Sequence, residues 1–226
     1  MIVALFDCDG TLYSNQMGRG MMKYEELQGR GQRARRYFVS LLPRYAMSRA
    51  GLLKAESFQY TLLDGLTHFF KGSTVAEADE LFGWVANEYL LATQRPETTE
   101  RLKDHLAQGH KVILASGSFA PCLQHIGDHF GVQDLIGTQL EVRDGRYTGK
   151  IILPVITSDA KASKIRGLVQ DQEIEVDWEN SYAYGDSFTD VNMLQMVGHP
   201  VAVHPDSKLN KLAEQKGWEV IGTPKG

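Results

Sequence analysis

The chain opens with five apolar positions, Ile2-Val3-Ala4-Leu5-Phe6, that stop abruptly at Asp7-Cys8-Asp9-Gly10-Thr11. An unbroken apolar run of that length predicts a short strand buried on both faces, as in a parallel sheet. Beyond it the period changes. Met21-Met22-Tyr24-Leu27, Tyr37-Phe38-Leu41-Leu42-Tyr45 and Phe58-Leu62-Leu63-Leu66-Phe69-Phe70 recur at three- and four-residue intervals, the spacing of a helical face. A further helix is predicted over 76–92, opened by Ser73-Thr74 with Glu77, Asp79 and Glu80 in its first turns, where acids complement the helix dipole. Pro96 closes this helical stretch.

From Glu97 onward, helical and strand patterns alternate. A helix over 98–108, ended by Gly109, precedes a buried strand over 111–115 that runs into Ser116-Gly117-Ser118. A helix over 119–130 with Gly131 after it is followed by a hairpin over 140–147 turning at Asp144-Gly145. A helix over 163–172 leads to the strand Tyr182-Ala183-Tyr184 and the turn Gly185-Asp186-Ser187. A helix over 189–196, a strand over 200–203, a helix over 207–216 and a strand over 218–221 complete the chain. The pattern predicts an α/β fold with a doubly wound, mainly parallel, Rossmann-like sheet and one inserted helical segment. The expected division is a core of residues 1–13 plus 96–226 and a helical insertion over 14–95.

Composition narrows the class. With 226 residues, 42% hydrophobic and 23% charged, the chain has the make-up of a globular protein with one substantial core. A net charge of −4 gives no general attraction to nucleic acid, and none is expected as partner. Two cysteines, Cys8 and Cys122, are too few for a disulfide framework and point to reduced thiols and a cytoplasmic setting. Neither a membrane-spanning run nor a signal peptide is expected, and the seven scattered histidines do not have zinc spacing.

Three predicted strands end in small polar turns: at Asp7–Thr11, at Ser116–Ser118, and at Gly185–Ser187 with Asp190 just beyond. In a parallel sheet such ends share one edge, where ligands bind. The set supplies four carboxylates, hydroxyls and glycine N–H groups, suited to a hard cation and an anion. Lys161 and Lys164, between the second and third turns, offer a positive charge. Each feature also has a plainer reading. Asp9-Gly10 is a turn signal, Ser116 fits a helix N-cap, and Asp186 or Asp190 fits a cap of the following helix. An EF-hand calcium loop is excluded, because its third oxygen ligand and preceding helix are missing.

Asp7-Cys8-Asp9-Gly10-Thr11, Ala115-Ser116-Gly117-Ser118, Lys164-Ile165-Arg166-Gly167-Leu168 and Tyr184-Gly185-Asp186-Ser187-Phe188-Thr189-Asp190 occur in this order over nearly the whole length. They resemble the four motifs of the haloacid dehalogenase superfamily of phosphohydrolases, in the branch around phosphoserine phosphatase with a helical cap. The segment 198–206 also looks like that branch. The resemblance implies a magnesium-dependent phosphomonoester hydrolase acting on a small phosphorylated metabolite. Asp7 would be the nucleophile that forms an aspartyl-phosphate, and Asp9 the acid and base. Thr11, Ser116, Gly117, Lys164 and Asp190 would serve substrate binding, Asp190 by orienting Lys164 or the metal's waters. Mg2+ would sit on Asp7, the backbone carbonyl of Asp9, and Asp186. Lys164 is preferred to Lys161 because Ile165 and Leu168 then form the buried helix face.

Two departures count against phosphoserine as substrate. Gln16 stands where those enzymes carry a glutamate for the amino group, and Thr189 stands where they carry asparagine. Phosphoryl transfer as in mutases of the superfamily, a lipid-type or doubly anionic substrate, and a non-catalytic phospholigand-binding module remain alternatives. Between Leu27 and Ala55 there is no acid, yet Arg30, Arg33, Arg35, Arg36, Arg44, Arg49 and Lys54 occur there among aromatic and aliphatic residues. A solvated helix face explains this, and so does weak contact with an anionic membrane.

Overall fold

β1 (Val3–Phe6) is buried along its full length and lies between two parallel neighbours, β2 (Lys111–Phe119) and β5 (Tyr182–Gly185). This computed structural model describes residues 1–53 and 55–225; Lys54, the last residue of the basic run, lies outside them. The remaining strands are β3 (Asp134–Arg143), β4 (Arg146–Ile152), β6 (His199–Val203) and β7 (Glu219–Ile221), in the sheet order β4-β3-β2-β1-β5-β6-β7. Of these seven strands among the described residues, only the β3–β4 pair is antiparallel. The chain winds outward from β1 through β2 and β3, then returns to β5 on the other side. β1 and β5 therefore flank the switch point, where open sheets form their ligand crevice.

Strand alternation divides the core between the two faces. Ala4 and Phe6, Val112 and Leu114, Tyr184, and Val201 and Val203 pack on one side. That side is covered by α5 (Pro96–Ala107) and α6 (Ala120–Phe130). Val3 and Leu5, Ile113 and Ala115, Ala183, and Ala202 face α7 (Ser158–Asp171), α8 (Val191–Leu194) and α9 (Ser207–Lys216). A side chain such as Leu5 or Phe6, withdrawn completely from water, contributes about 1.5–3 kcal/mol. This two-faced burial is what an uninterrupted apolar β1 encodes.

Between β1 and α5 the described elements are helical: α1 (Met17–Leu27), α2 (Gly31–Arg49), α3 (Ala55–Thr67) and α4 (Val75–Trp84). The predicted helix over 76–92 relaxes after Trp84 into a π-helical turn (Val85–Leu90) and a 3-10 turn (Leu91–Thr93). The segment does not keep a separate core. Phe70 stands edge-on to Phe82, to Phe119 of β2 and to Tyr147 of β4, with ring centroids 5.2, 5.7 and 5.1 Å apart.

β2 runs to Phe119, beyond the strand expected over 111–115, and three further elements differ from the sequence expectation. β3 starts at Asp134, before the predicted hairpin, because its first half pairs in parallel with β2. The turn itself is as expected, with Asp144 and Gly145 both at positive φ, the geometry that matches strand twist. α7 begins at Ser158, five residues before the predicted start, and the helix predicted over 189–196 divides into a 3-10 turn (Phe188–Asp190) and α8.

Candidate active site

The carboxyl end of β1 delivers Asp7, 6% exposed, into the sheet edge. Its two oxygens have different partners. Oδ1 accepts from Lys161 Nζ at 2.8 Å and Oδ2 from Thr11 Oγ1 at 3.1 Å. Lys161 also donates to Asp190 Oδ1 at 2.6 Å, while Asp190 Oδ2 accepts from the Ser187 N–H and hydroxyl at 3.2 and 3.1 Å. Asp186 stands on the same rim, paired through Oδ2 with Lys225.

The expected lysine is corrected by these contacts. Lys161 is buried among the carboxylates, whereas Lys164 is exposed. The reason is helical phase. Because α7 starts at Ser158, the face turned to the sheet holds Lys161, Ala162, Ile165 and Val169, with Lys161 one turn before Ile165. Lys164 precedes Ile165 by one residue and falls on the solvent side. Asp190 accordingly holds Lys161, and not Lys164.

Asp9 is held apart from this cluster. Its Oδ2 accepts from the Met17 N–H and the Ser118 hydroxyl, both at 3.1 Å. Its Oδ1 is buried with no hydrogen-bond partner among the described residues, as is the Tyr13 hydroxyl. A buried carboxylate oxygen left unpaired is costly; the Tyr13 hydroxyl, which interacts with the Asp9 carboxyl, partly offsets that cost. Ser118, which the sequence places in the second strand-end turn without assigning it a role, thus orients Asp9 together with the Met17 N–H.

Ser116 is buried and sits at a bulge in β2, where pairing with β3 shifts register between Ala115 and Phe119. Its hydroxyl accepts from the Ser118 N–H at 3.1 Å. Thr138 Oγ1 donates to the Gly117 carbonyl at 2.9 Å and accepts from the Ile156 N–H at 3.2 Å, tying the bulge to β3 and to the approach of α7. Two glycines are required here. Gly10 has φ +91° and a Cβ there would overlap the Asp186 carboxylate. At Gly117 a Cβ would crowd the amide of Gln59, so α3 reaches the rim. Gln16 is exposed at the start of α1 with no capping hydrogen bond, and Thr189 Oγ1 lies 2.6 Å from Ser187 Oγ.

Electrostatics follow from burial. Desolvation pushes the Asp7 carboxyl well above the ordinary range; Lys161 opposes the rise, and Asp190 and Asp186 add to it. Burial likewise raises Asp9, against hydrogen bonding from Met17, Tyr13 and Ser118. Asp186 is pushed up to about 6 by burial and Asp190, with Lys225 opposing. Burial alone would lower the Lys161 ammonium, but Asp190 and Asp7 raise it above its usual value.

Asp7, Asp186 and Asp190 each offer a carboxylate oxygen, and these atoms lie within 4.8 Å of one another. Hard oxygen donors and crowded like charge suit Mg2+. The residues present therefore fit a divalent cation, with Asp190 joining Asp7 and Asp186 and the Asp9 carboxylate turned away.

A family model described as haloacid dehalogenase-like hydrolase matches residues 4–195. The phosphoserine phosphatase SerB1 of Mycobacterium tuberculosis is 30% identical over 222 residues, covering 96% of this chain and 69% of that protein. The histidinol-phosphatase of Neisseria meningitidis serogroup C is 26% identical over 230 residues, covering 97% of each chain. Among solved structures, a protein of unknown function from Bordetella pertussis superposes with a TM-score of 0.83 at 28% identity, covering 97% of both chains.

Proposed function

The chain belongs to the haloacid dehalogenase-like hydrolases, and from that premise we propose that it hydrolyses small phosphomonoesters through a covalent aspartyl-phosphate on Asp7. The observation that carries this reading is the convergence of Asp7, Lys161, Asp186 and Asp190 on one buried rim, with Asp9 held beside it. Asp7 would attack phosphorus as the bond to the substrate's alkoxy oxygen breaks. Asp9, whose carboxyl burial keeps protonated to higher pH, would give its proton to that oxygen, and the alcohol departs. Water would then attack the same phosphorus and lose a proton to Asp9; the phosphorus–Asp7 bond breaks and orthophosphate leaves.

Thr11 and Lys161 hold the two oxygens of Asp7, fixing the nucleophile before substrate arrives. Ser116 and the Gly117 N–H, on the bulged end of β2, would donate to the phosphoryl oxygens together with Lys161. Mg2+ would be held by Asp7, Asp186, Asp190 and the backbone carbonyl of Asp9. When bound it would offset the negative charge shared by carboxylates and phosphate. Gln16 lacks the charge to pair with a substrate ammonium as a carboxylate would, which argues for a substrate other than phosphoserine. Residues 14–95 would act as the cap that selects it, with Gln59 reaching the rim. Cys8 and Cys122 are both free and buried, in keeping with a reducing cytoplasm.

A phosphate-release screen across phosphorylated amino acids, amino alcohols, sugars and lipid headgroups, with and without Mg2+, tests the proposal. Turnover of at least one small monoester is expected. It should vanish with chelator and fall by about 10⁴-fold or more in Asp7→Asn. Undiminished turnover in that variant would refute the covalent mechanism.

A further inference from the structure

We propose that the outer face of α2 docks on an anionic lipid bilayer. Seven of the chain's 24 basic residues and none of its 28 acidic ones lie between Leu27 and Ala55, so that stretch carries +7 and the remainder −11. The inner side of α2 is occupied. Ala34 and Leu41 are buried, and the Tyr37 ring meets Phe69 edge-on at 5.6 Å. Glu25 takes up Arg30 at 2.6 Å and Arg33 at 3.7 Å.

The opposite side is apolar and uncovered. Phe38, Val39 and Leu42 are 50%, 53% and 46% exposed, with Met47 and Leu52 open beyond them. Arg35, Arg36 and Arg44 are exposed on the same helix. At the N-terminal end of the same helix lies a cleft of about 450 Å³, lined by Gly29, Arg30, Gln32, Arg33 and Arg36. A patch that is both aliphatic and strongly cationic identifies its partner by exclusion. Two copies meeting symmetrically through this face would set each arginine cluster against its own mate. Nucleic acid would supply phosphates but no medium for Val39, Leu42 and Met47. An acidic bilayer supplies both, with headgroups for the arginines and the acyl boundary for the apolar side chains.

No helix among the described residues is long and apolar enough to cross a membrane, and the contact proposed is interfacial. The acidic remainder of the molecule is repelled by the same surface, which fixes one orientation. Because α2 rests on α3, whose Gln59 adjoins Gly117, docking would hold the catalytic rim one helix layer from the headgroups.

Co-sedimentation with vesicles of phosphatidylcholine, alone or with about 30 mol% phosphatidylglycerol, tests the proposal on the full chain. At low salt, binding to the anionic vesicles should exceed that to the neutral ones by about a hundredfold or more, and about 0.5 M NaCl should abolish the excess. Exchanging Arg35, Arg36 and Arg44 together for Gln should weaken binding by about a hundredfold, at about fivefold per charge. The pair Val39→Glu and Leu42→Glu should weaken it by about tenfold or more. All five positions are exposed, so these variants should keep the wild-type circular dichroism spectrum. Equal binding to both vesicle types, or no binding to either, would overturn the proposal. A lipid-free dimer in analytical ultracentrifugation that the Val39→Glu, Leu42→Glu pair dissolves would also overturn it, by showing a second copy as the occupant.

Discussion

Lys161 shows how much one side chain holds at this rim. Its ammonium lies between Asp7 and Asp190, at 2.8 and 2.6 Å, and is itself almost wholly buried. Removing it leaves two buried carboxylates facing each other without a cation, which raises their affinity for protons and disorganises the nucleophile. Lys161→Met should lower kcat by about 10²–10³-fold, whereas Lys164→Met, on the exposed side of α7, should change it by less than about twofold. Steady-state phosphate release on the substrate found by screening makes the comparison. The opposite ranking would return the role to Lys164. Ser118 acts at one remove, through Asp9. Ser118→Ala should therefore reduce kcat by about tenfold with little change in KM, because Asp9 keeps the Met17 N–H but loses one of its two oriented contacts.

At the scale of elements, local chemistry accounts for most boundaries. α4 begins where Ser73-Thr74 and Glu77 predicted, as a reciprocal cap: the Thr74 hydroxyl accepts from the Glu77 N–H at 3.2 Å, and Glu77 Oε2 accepts from the Thr74 N–H at 2.7 Å. Thr74→Ala should cost about 1 kcal/mol, read as a lower urea midpoint with an unchanged m-value. α6 ends at Gly131 and α9 at Gly217, both left-handed, as glycine after a helix predicts. The elements misjudged from sequence are those whose starts rest on tertiary contact. The first half of β3 carries no strong alternation and forms only because β2 offers an edge. α7 starts early because Ile156 and Thr157 are pinned behind the β2 bulge through Thr138.

Across the whole molecule, one buried cluster away from the rim couples stability to pH. His105, 6% exposed, contacts His110 Nδ1 at 2.8 Å and the Tyr184 hydroxyl at 2.9 Å. Burial, His110 and Arg101 pull its pKa down to about 4. The neutral ring is thus the folded form, while the unfolded chain takes up a proton near pH 6.5. Stability contributed by His105 is full above about pH 6.5 and declines as pH falls towards about 4, by about 2–3 kcal/mol in all. The buried carboxyls Asp7, Asp9 and Asp186 have raised values and act in the opposite direction, but they are common to wild type and variant. Urea titrations of wild type and His105→Gln at pH 7.5 and 4.5, conditions chosen to span about that window, should show the wild type losing more. Equal losses would mean that His105 is protonated in the folded protein.

The amino-acid sequence alone determined the alternating α/β order, the burial of β1, and the identity of the carboxylates at the strand ends. These are local properties: an apolar run with an abrupt acidic stop can form only a short buried strand that ends in charge. It also determined the cationic, apolar character of α2, because composition is independent of packing. Only the tertiary structure decided which lysine meets Asp7, because one helix presents either residue according to where its first turn is anchored. It likewise decided that Asp190 joins Asp7 and Asp186 while Asp9 turns to Ser118. Such pairings depend on distances between segments far apart in the chain, and those distances are set by how the sheet closes around β1.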